Sequence, residues 1–182
     1  KKQIVAFSAR NYDPSGIITP IIVPVKQLIS SMWSRNINWK EKIPEDLVPA
    51  WNAIKEQFTD TTYSIPRQLT TNYDFSTAQL VIFSDASKAH YATAAYIRYG
   101  YKDDTYTSGL IFSKSRIRPS NGGPEYTIPR MELMALEIGS NAAVNLAKEL
   151  HMDLKDVVLF SDSTCCLFWV LSKVNNNFGS TW

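Results

Sequence analysis

Two similar stretches, LVIFSDAS at residues 80–87 and VVLFSDST at residues 157–164, decide the fold of this chain. In each stretch, a run of large apolar residues is followed by a Ser-Asp pair and then by small residues. An apolar run that has the length of a strand and is followed by polar residues predicts a strand buried on both faces. Asp85 and Asp162 are therefore expected where two buried strands emerge from a sheet. Two carboxylates placed in this way indicate a cation site.

The segments between these stretches predict the order strand, strand, strand, helix, strand, helix. Residues 90–101 and 105–115 are rich in Tyr, Thr and Ile and flank Lys-Asp-Asp, which is typical of an antiparallel hairpin. The next helix is predicted to begin at Pro129 and to carry Glu132 in its first turn. Its predicted apolar face consists of Met131, Met134, Ala135, Ile138, Ala142, Leu146 and Leu150.

The chain order also predicts where the two aspartates lie in the sheet. A helix that crosses from the hairpin to the strand at 157–162 allows this strand to lie parallel to the first strand and beside it, at the sheet centre. The carboxyl ends of neighbouring strands border the crevice in which open sheets bind ligands. Asp85 and Asp162 are expected to face this crevice. For either aspartate alone, an ordinary turn or capping role is the competing interpretation.

A helical segment is predicted before residue 75. The first helix has Thr19 as its N-cap, Pro20 as its first residue and an apolar stripe of Ile21, Val25, Leu28, Ile29 and Met32. The second helix lies within residues 44–58, with a stripe of Leu47, Trp51, Ile54 and Phe58. A connector rich in Thr, at 61–76, separates this segment from the first strand.

Composition limits the classes of protein to consider. With 182 residues, 45% of them hydrophobic, the chain can form one good core with a smaller appended unit. No segment resembles a membrane span or a signal peptide, so an intracellular location, cytoplasmic or nuclear, is expected. Cys165 and Cys166 are adjacent, which excludes a disulfide framework and predicts buried free thiols. The net charge of +2 is too small to indicate nucleic-acid binding by itself.

Seven collinear segments carry a resemblance to a known family. Together they resemble the thumb, connection and ribonuclease H portion of Bel/Pao-type LTR retrotransposon polyproteins: SARNYDPSGIITPIIVPVKQLISSMW, NINWKEKIPEDLVPAW, SIPRQL, FSDASKAHYATAAYIR, SKSRI, TIPRMELMA and FSDSTCCLFWV. The resemblance implies an α/β fold, a ribonuclease H-like mixed sheet with flanking helices. It implies a thumb and connection segment of reverse transcriptase at 1–75 and a ribonuclease H-like domain at 76–182 that lacks its last strand and helix.

The resemblance also implies a catalytic site. Asp85, Glu132 and Asp162 match the first three catalytic carboxylates of the family, which cleaves the RNA strand of RNA–DNA hybrids. Such sites hold two Mg²⁺ or Mn²⁺ ions, for which clustered carboxylates are suitable ligands. Asp85 is expected to bridge the two ions, Glu132 to hold one and Asp162 the other. The expected partners are a hybrid or RNA, and the remainder of a reverse transcriptase polyprotein or a host protein.

Other polar residues are candidates for contact with nucleic acid. Lys114, Arg116, Arg118 and Arg130 gather with Tyr126 in and around the loop before the helix of Glu132, where they can reach phosphates of a hybrid. Ser87, two residues after the first aspartate, is a further candidate. The alternative for the loop is an ordinary solvated segment.

Some features depart from the family or suggest other functions. The sequence contains no Asp, Glu or His after Asp162, whereas ribonucleases H carry a fourth carboxylate, and Ala92 stands where the family usually has Gly. A catalytically inactive, domesticated module that binds a protein or RNA is therefore an alternative, as is a structural unit that positions a polymerase. Residues 101–104 spell Tyr-Lys-Asp-Asp, the form of a polymerase motif, but a solvated turn is predicted there.

Overall fold

The computed structural model describes residues 1–59, 62, 64–119 and 126–174, and the side chains of 173 and 174 are excluded. The chain forms two compact units. One contains Lys1–Gln68, and the other contains Leu69–Arg118 together with the described residues from 126 onward. The division lies at residues 68 and 69, somewhat before the predicted boundary at residue 75. No helix in the described ranges is long and apolar enough to cross a membrane.

The first unit is helical. It consists of α1 (Lys2–Arg10), α2 (Thr19–Ser34), a 3₁₀ turn (Glu45–Leu47) and α3 (Val48–Phe58). Its buried core is formed by Ile4, Val25, Leu28, Met32, Ile37 and Ile54. The predicted stripes of α2 and α3 supply most of this core, so both helices are confirmed. Ile18, rather than Thr19, is the N-cap of α2.

Helix α1 was not predicted from the sequence. Its nine residues have no capping side chain and no acidic residue in the first turn, so the usual signals of a helix start are absent. Its stability comes from packing. Ile4 is 4% exposed, and the Phe7 ring lies edge-on to the rings of Trp51 and Phe58, at 5.3 and 4.9 Å between centroids.

The second unit is a four-stranded mixed sheet with helices. Its elements are β1 (Thr77–Ala86), β2 (His90–Gly100), β3 (Tyr106–Ile117), α4 (Ile128–Glu149), β4 (Val157–Phe160) and α5 (Thr164–Val174). The strand order is β3-β2-β1-β4, with β1 antiparallel to β2 and parallel to β4. The predicted element order and the parallel pairing of the two Asp-bearing strands are confirmed. Among the described strands, however, β4 is an edge strand and not a central one.

Helix α4 covers one face of this sheet. Leu80, Ile82 and Ala95 on the covered face are fully buried. The buried positions of α4 are Met131, Glu132, Ala135, Leu136, Gly139, Ala142, Ala143 and Ala147. The prediction that Leu150 belongs to the buried face is wrong: α4 ends at Glu149, and Leu150, its C-cap residue, is 40% exposed.

The opposite face of the sheet is exposed. Phe83 and Phe160 are each 48% exposed, and their rings stack at 5.2 Å between centroids. Val158 on the same face is 36% exposed. No described element of the second unit covers these side chains. The prediction that both Asp-bearing strands are buried on two faces is therefore wrong for the described residues.

The two cysteines have different environments. Cys165 is exposed and Cys166 is fully buried, so the prediction of two buried thiols is half wrong. Successive helical residues are turned by about 100°, so only one of an adjacent pair faces the core. The Cys166 thiol donates to the Pro129 carbonyl oxygen at 3.3 Å and joins the starts of α5 and α4. Burial raises the pKa of this thiol.

Replacing Gly139 with Ala is expected to destabilise the second unit by about 1–3 kcal/mol, because a Cβ there would overpack the interface between helix and sheet. It would lie 2.9 Å from Leu159 Cδ1 and 3.1 Å from Thr93 Oγ1, and it would press on Ser84 Oγ. Denaturant unfolding measures the loss. The control is Ser140→Ala at the neighbouring exposed position, which should change the free energy of unfolding little. Equal stabilities for wild type and Gly139→Ala would contradict this packing.

Candidate metal centre

The two aspartates lie at the ends of neighbouring parallel strands. The β1–β4 register pairs Phe83 with Phe160, and each aspartate follows two residues later. Asp85 is the ninth residue of β1, and Asp162 lies between β4 and α5. Because β1 and β4 are parallel, both aspartates lie at the same end of the two strands. Both carboxylates are exposed.

Glu132 approaches the aspartates from α4. It is the fifth residue of this helix and is only 6% exposed. Its Oε2 atom is buried and has no hydrogen-bond partner among the described residues. A buried carboxylate oxygen without a partner is costly unless a proton or a cation satisfies it. The predicted position of Glu132 in the first turn of a helix is close to what the structure shows, but its burial was not predicted.

The three carboxyl groups converge. One oxygen atom each from Asp85, Glu132 and Asp162 can be chosen so that all three lie within 4.8 Å of one another. No other His, Cys, Asp or Glu among the described residues belongs to this cluster. The pKa of Glu132 is raised, mainly by burial and next by the negative charge of Asp85. A hydrogen bond with the Ala86 backbone lowers this pKa, and the charge of Asp162 raises it further.

This arrangement fits a divalent cation. The ligands are hard oxygens, two of them are open to solvent, and the third has a buried atom that lacks a partner. Like charges at this separation repel one another, and a cation would relieve the repulsion. Asp85, Glu132 and Asp162 are thus the residues of the described chain that could hold Mg²⁺ or Mn²⁺.

Local hydrogen bonds form at Asp85 and directly after Asp162. Asp85 Oδ1 accepts from the Ala86 backbone N–H at 2.7 Å. Ser163 Oγ accepts from the Cys166 backbone N–H at 3.4 Å and so caps the start of α5, directly after Asp162. The role of Ser163 was not foreseen, although a Ser immediately before an apolar helical run is a known N-cap signal.

The candidate nucleic-acid residues lie in several elements. Lys114 and Arg116 lie on β3, opposite Thr93 and Tyr91 of β2. Their partners are buried against α4, so the two cations also face the α4 side. Ser87 lies in the β1–β2 turn, where its hydroxyl accepts from the His90 backbone N–H at 3.1 Å.

Two further candidates flank the predicted loop. Arg118 directly follows β3, and its backbone N–H donates to the Ala89 carbonyl oxygen at 2.8 Å. Arg130, in the first turn of α4, places its guanidinium 5.0 Å from the centroid of the Tyr126 ring. Residues 120–125 of this loop lie outside the described residues. The expected contacts of the loop with nucleic acid stay a prediction.

The Tyr-Lys-Asp-Asp segment is a turn between β2 and β3. The Tyr101 backbone N–H donates to the Thr105 carbonyl oxygen at 3.0 Å, and Asp104 adopts a positive φ of 59°. Hydrogen bonds from Thr105 lower the pKa of Asp103. Asp103 and Asp104 are exposed and belong to no carboxylate cluster in the described chain. The predicted turn is confirmed.

Comparison with known proteins agrees with this fold and cluster. No curated protein sequence gives a significant match to the chain. The sequence profile of the Pao retrotransposon-like RNaseH-like domain matches residues 1–163, which includes all three clustered carboxylates. Since this match covers most of the chain, and the sheet and helices have the predicted arrangement, the chain belongs to the Pao retrotransposon-like RNase H-like domain family.

Proposed function

We propose that this domain is a metal-dependent ribonuclease that hydrolyses the RNA strand of RNA–DNA hybrids. The observation that carries the proposal is the convergence of three carboxylate oxygens within 4.8 Å at the ends of β1 and β4. Membership in a family with a ribonuclease H-like domain supports the same reaction class. A carboxylate cluster with two exposed members is accessible to a phosphodiester group.

Each carboxylate has a part in this proposal. The chemistry that two Mg²⁺ or Mn²⁺ ions supply when bound at such a site is activation of water near neutral pH and neutralisation of charge on the phosphate. Asp85 and Asp162 would hold the ions from the solvent side of the cluster, and Glu132 would hold them from its buried position. The packing of α4 fixes Glu132 before substrate arrives, so its orientation costs little during the reaction.

The direct test is cleavage of a hybrid whose RNA strand carries a label at one end, in Mg²⁺ or Mn²⁺. Cleavage of the RNA in the hybrid, with single-stranded RNA and double-stranded DNA left intact, is the expected result. An intact hybrid at high enzyme concentration in both metals would contradict the proposal.

A second candidate function is binding without cleavage, to RNA, a hybrid or a host protein. The observation that favours it is that only three carboxylates converge in the described residues, whereas the family resemblance implies four. Calorimetric titration with Mg²⁺ separates the candidates. A catalytic site is expected to bind the ion at the cluster, whereas a module that has lost its site is expected to show no such heat.

The arginines that flank the loop before α4 give a test of nucleic-acid contact. Replacing both Arg118 and Arg130 with Gln is expected to reduce the slope of log K against log salt by roughly 0.9 for each lost phosphate contact with a duplex. Fluorescence anisotropy of a labelled hybrid across a salt series, with a chelator present, measures this slope. Lys155, which pairs with Asp153 at 2.8 Å before β4, supplies the control Lys155→Gln. An unchanged slope in the double variant would show that these arginines do not contact phosphates.

A further inference from the structure

A groove separate from the carboxylate cluster runs between α4 and β3. Its volume is about 340 Å³, within the range of sites that hold small ligands. Lys114 and Arg116 of β3 line one side, and Asn141 and Asn145 of α4 line the other. The floor is apolar and includes the partly buried Phe112.

The charged groups of this groove are open to a ligand. Lys114, Arg116 and Glu137 all line it and are all exposed, yet none of them forms an ion pair within the part of the chain that the structure describes. Two cations against one acid leave the groove with an excess of positive charge. A ligand with a phosphate would complement this excess.

The apolar floor of the groove and the side-chain amides of Asn141 and Asn145 indicate which class of ligand fits it. A bare phosphate would gain nothing from an apolar floor, whereas a nucleobase can lie on Phe112 and remove its ring from water. Asn141 and Asn145 are four residues apart and therefore lie on one face of α4. Asparagine amides offer both a donor and an acceptor, which suits the edge of a base. Glu137 can accept from a ribose hydroxyl, and the 2′-hydroxyl of RNA is such a donor.

The groove also has a defined distance from the cluster. Asn141 and Asn145 follow Glu132 by nine and thirteen residues on the same helix, which corresponds to roughly 13–20 Å. With about 3.4 Å per nucleotide along a duplex axis, this distance spans roughly four to six nucleotides. A strand held at the cluster would reach the groove a few nucleotides away.

We propose that the groove between α4 and β3 binds one unstacked nucleotide of a single-stranded RNA segment that extends from the hybrid. The phosphate lies at Lys114 and Arg116, the base lies on Phe112, and the amides of Asn141 and Asn145 contact the base edge. This inference rests on the proposed function for the identity of the duplex, but it concerns a separate site and does not involve the metal ligands.

The test compares hybrids with and without a single-stranded RNA tail of eight nucleotides, placed at each end of the RNA strand in turn. Anisotropy titrations in a chelator measure binding without cleavage. A tail at one of the two ends is expected to tighten binding roughly tenfold, the effect typical of one stacked base. The variants Asn141→Leu and Lys114→Gln are each expected to lose most of this gain, and for Asn141→Leu binding of the blunt hybrid should change less than twofold. Thermal melts show whether each variant is folded, and Arg116→Gln provides a second charge variant.

Lys148→Gln, at the exposed C-terminal end of α4, is the matched control and should keep the full gain. A gain below twofold for both tails, or a gain that survives Asn141→Leu, Lys114→Gln and Arg116→Gln, would overturn the proposal. If the hybrid is never cleaved in Mg²⁺ but the tail still tightens binding through these residues, the ribonuclease proposal fails and the groove proposal stands. If cleavage occurs and the tail has no effect, only the groove proposal fails.

Discussion

Replacing Asp85 with Asn is expected to lower kcat/KM for hybrid cleavage roughly thousandfold, because cation-assisted charge neutralisation contributes several kcal/mol to such reactions. Asn has nearly the same shape as Asp, but it removes one of the three negative charges of the cluster. The amide oxygen of Asn can still accept from the Ala86 backbone N–H, as Asp85 Oδ1 does at 2.7 Å. The end of β1 should therefore keep its conformation.

Stability and activity should separate in this variant. Asp85 is exposed, so its replacement removes no core packing, and one fewer charge beside Glu132 reduces repulsion in the absence of cations. Thermal unfolding in a chelator should occur at the wild-type temperature or above it. A large fall in melting temperature would show that the loss of activity reflects unfolding and not loss of a ligand.

Asp104→Asn is the matched control for this prediction. Asp104 is an exposed aspartate in the β2–β3 turn, and its positive φ of 59° suits Asn as well as Asp. This variant should cleave the hybrid at the wild-type rate. If Asp85→Asn keeps activity within tenfold of wild type, or if Asp104→Asn loses as much activity, the assignment of the site to the carboxylate cluster is wrong.

The sequence was informative where a rule of chain geometry applied. Strand residues at 80–83 and 157–160 are apolar and of similar length, and a helical crossover between them favours a parallel pair. Parallel neighbours have their carboxyl ends at one edge of the sheet, so the approach of Asp85 and Asp162 followed from the element order. A separate signal, Pro129 at the predicted helix start, placed Glu132 near the start of α4.

The sequence was less informative where tertiary packing decides the outcome. A helical repeat predicts an apolar stripe but not which of its residues pack most closely, which in α4 include the small residues Gly139 and Ala143. The sequence left the burial of Glu132 open, and it wrongly placed Leu150, which is 40% exposed, on the buried face. An apolar run likewise does not reveal how many faces of a strand are covered, as the exposed rings of Phe83 and Phe160 show.

Binding sites formed by residues without a motif were also missed. Asn141 and Asn145 give no signal in the sequence, because polar residues on a helix usually mark a solvated face. They form one side of a groove only because β3 brings Lys114 and Arg116 opposite them. The packing of α4 on the sheet sets this arrangement, and it is a tertiary contact that a local sequence pattern does not define.

Glu132 links the candidate metal centre to the stability of the second unit. In the absence of cations its pKa is raised above the ordinary value of 4.5, so the folded state binds its proton more tightly than the unfolded state does. The ionised carboxylate therefore reduces stability at neutral pH. In a chelator, the contribution of Glu132 to the free energy of unfolding of the wild type should rise as the pH falls through the raised pKa toward 4.5. Glu132→Gln should lack this pH-dependent contribution.

Divalent cations should make the Glu132 carboxylate stabilising, whereas it is destabilising in their absence. A cation that binds only the folded state at one hundred times its dissociation constant adds about 2.7 kcal/mol, which corresponds to roughly 5–10 °C in melting temperature for a protein of this size. Glu132→Gln should lose most of this gain, because the buried ligand atom becomes part of a neutral amide. It should also lose hybrid cleavage to a degree similar to Asp85→Asn.

Calorimetric melts of wild type and Glu132→Gln, each in a chelator and in Mg²⁺ or Mn²⁺ at neutral pH, measure these effects. In the chelator, Glu132→Gln is expected to unfold at or above the wild-type temperature, and in the metal well below it, so the order of the two proteins should invert. Glu149→Gln, an exposed change in the last turn of α4, should follow wild type in both conditions. An equal metal-dependent rise in wild type and Glu132→Gln would place the cation outside the cluster. The inversion should be larger for Glu132→Gln than for Asp85→Asn, because the buried Glu132 carboxylate carries a desolvation cost in addition to the repulsion between the charges.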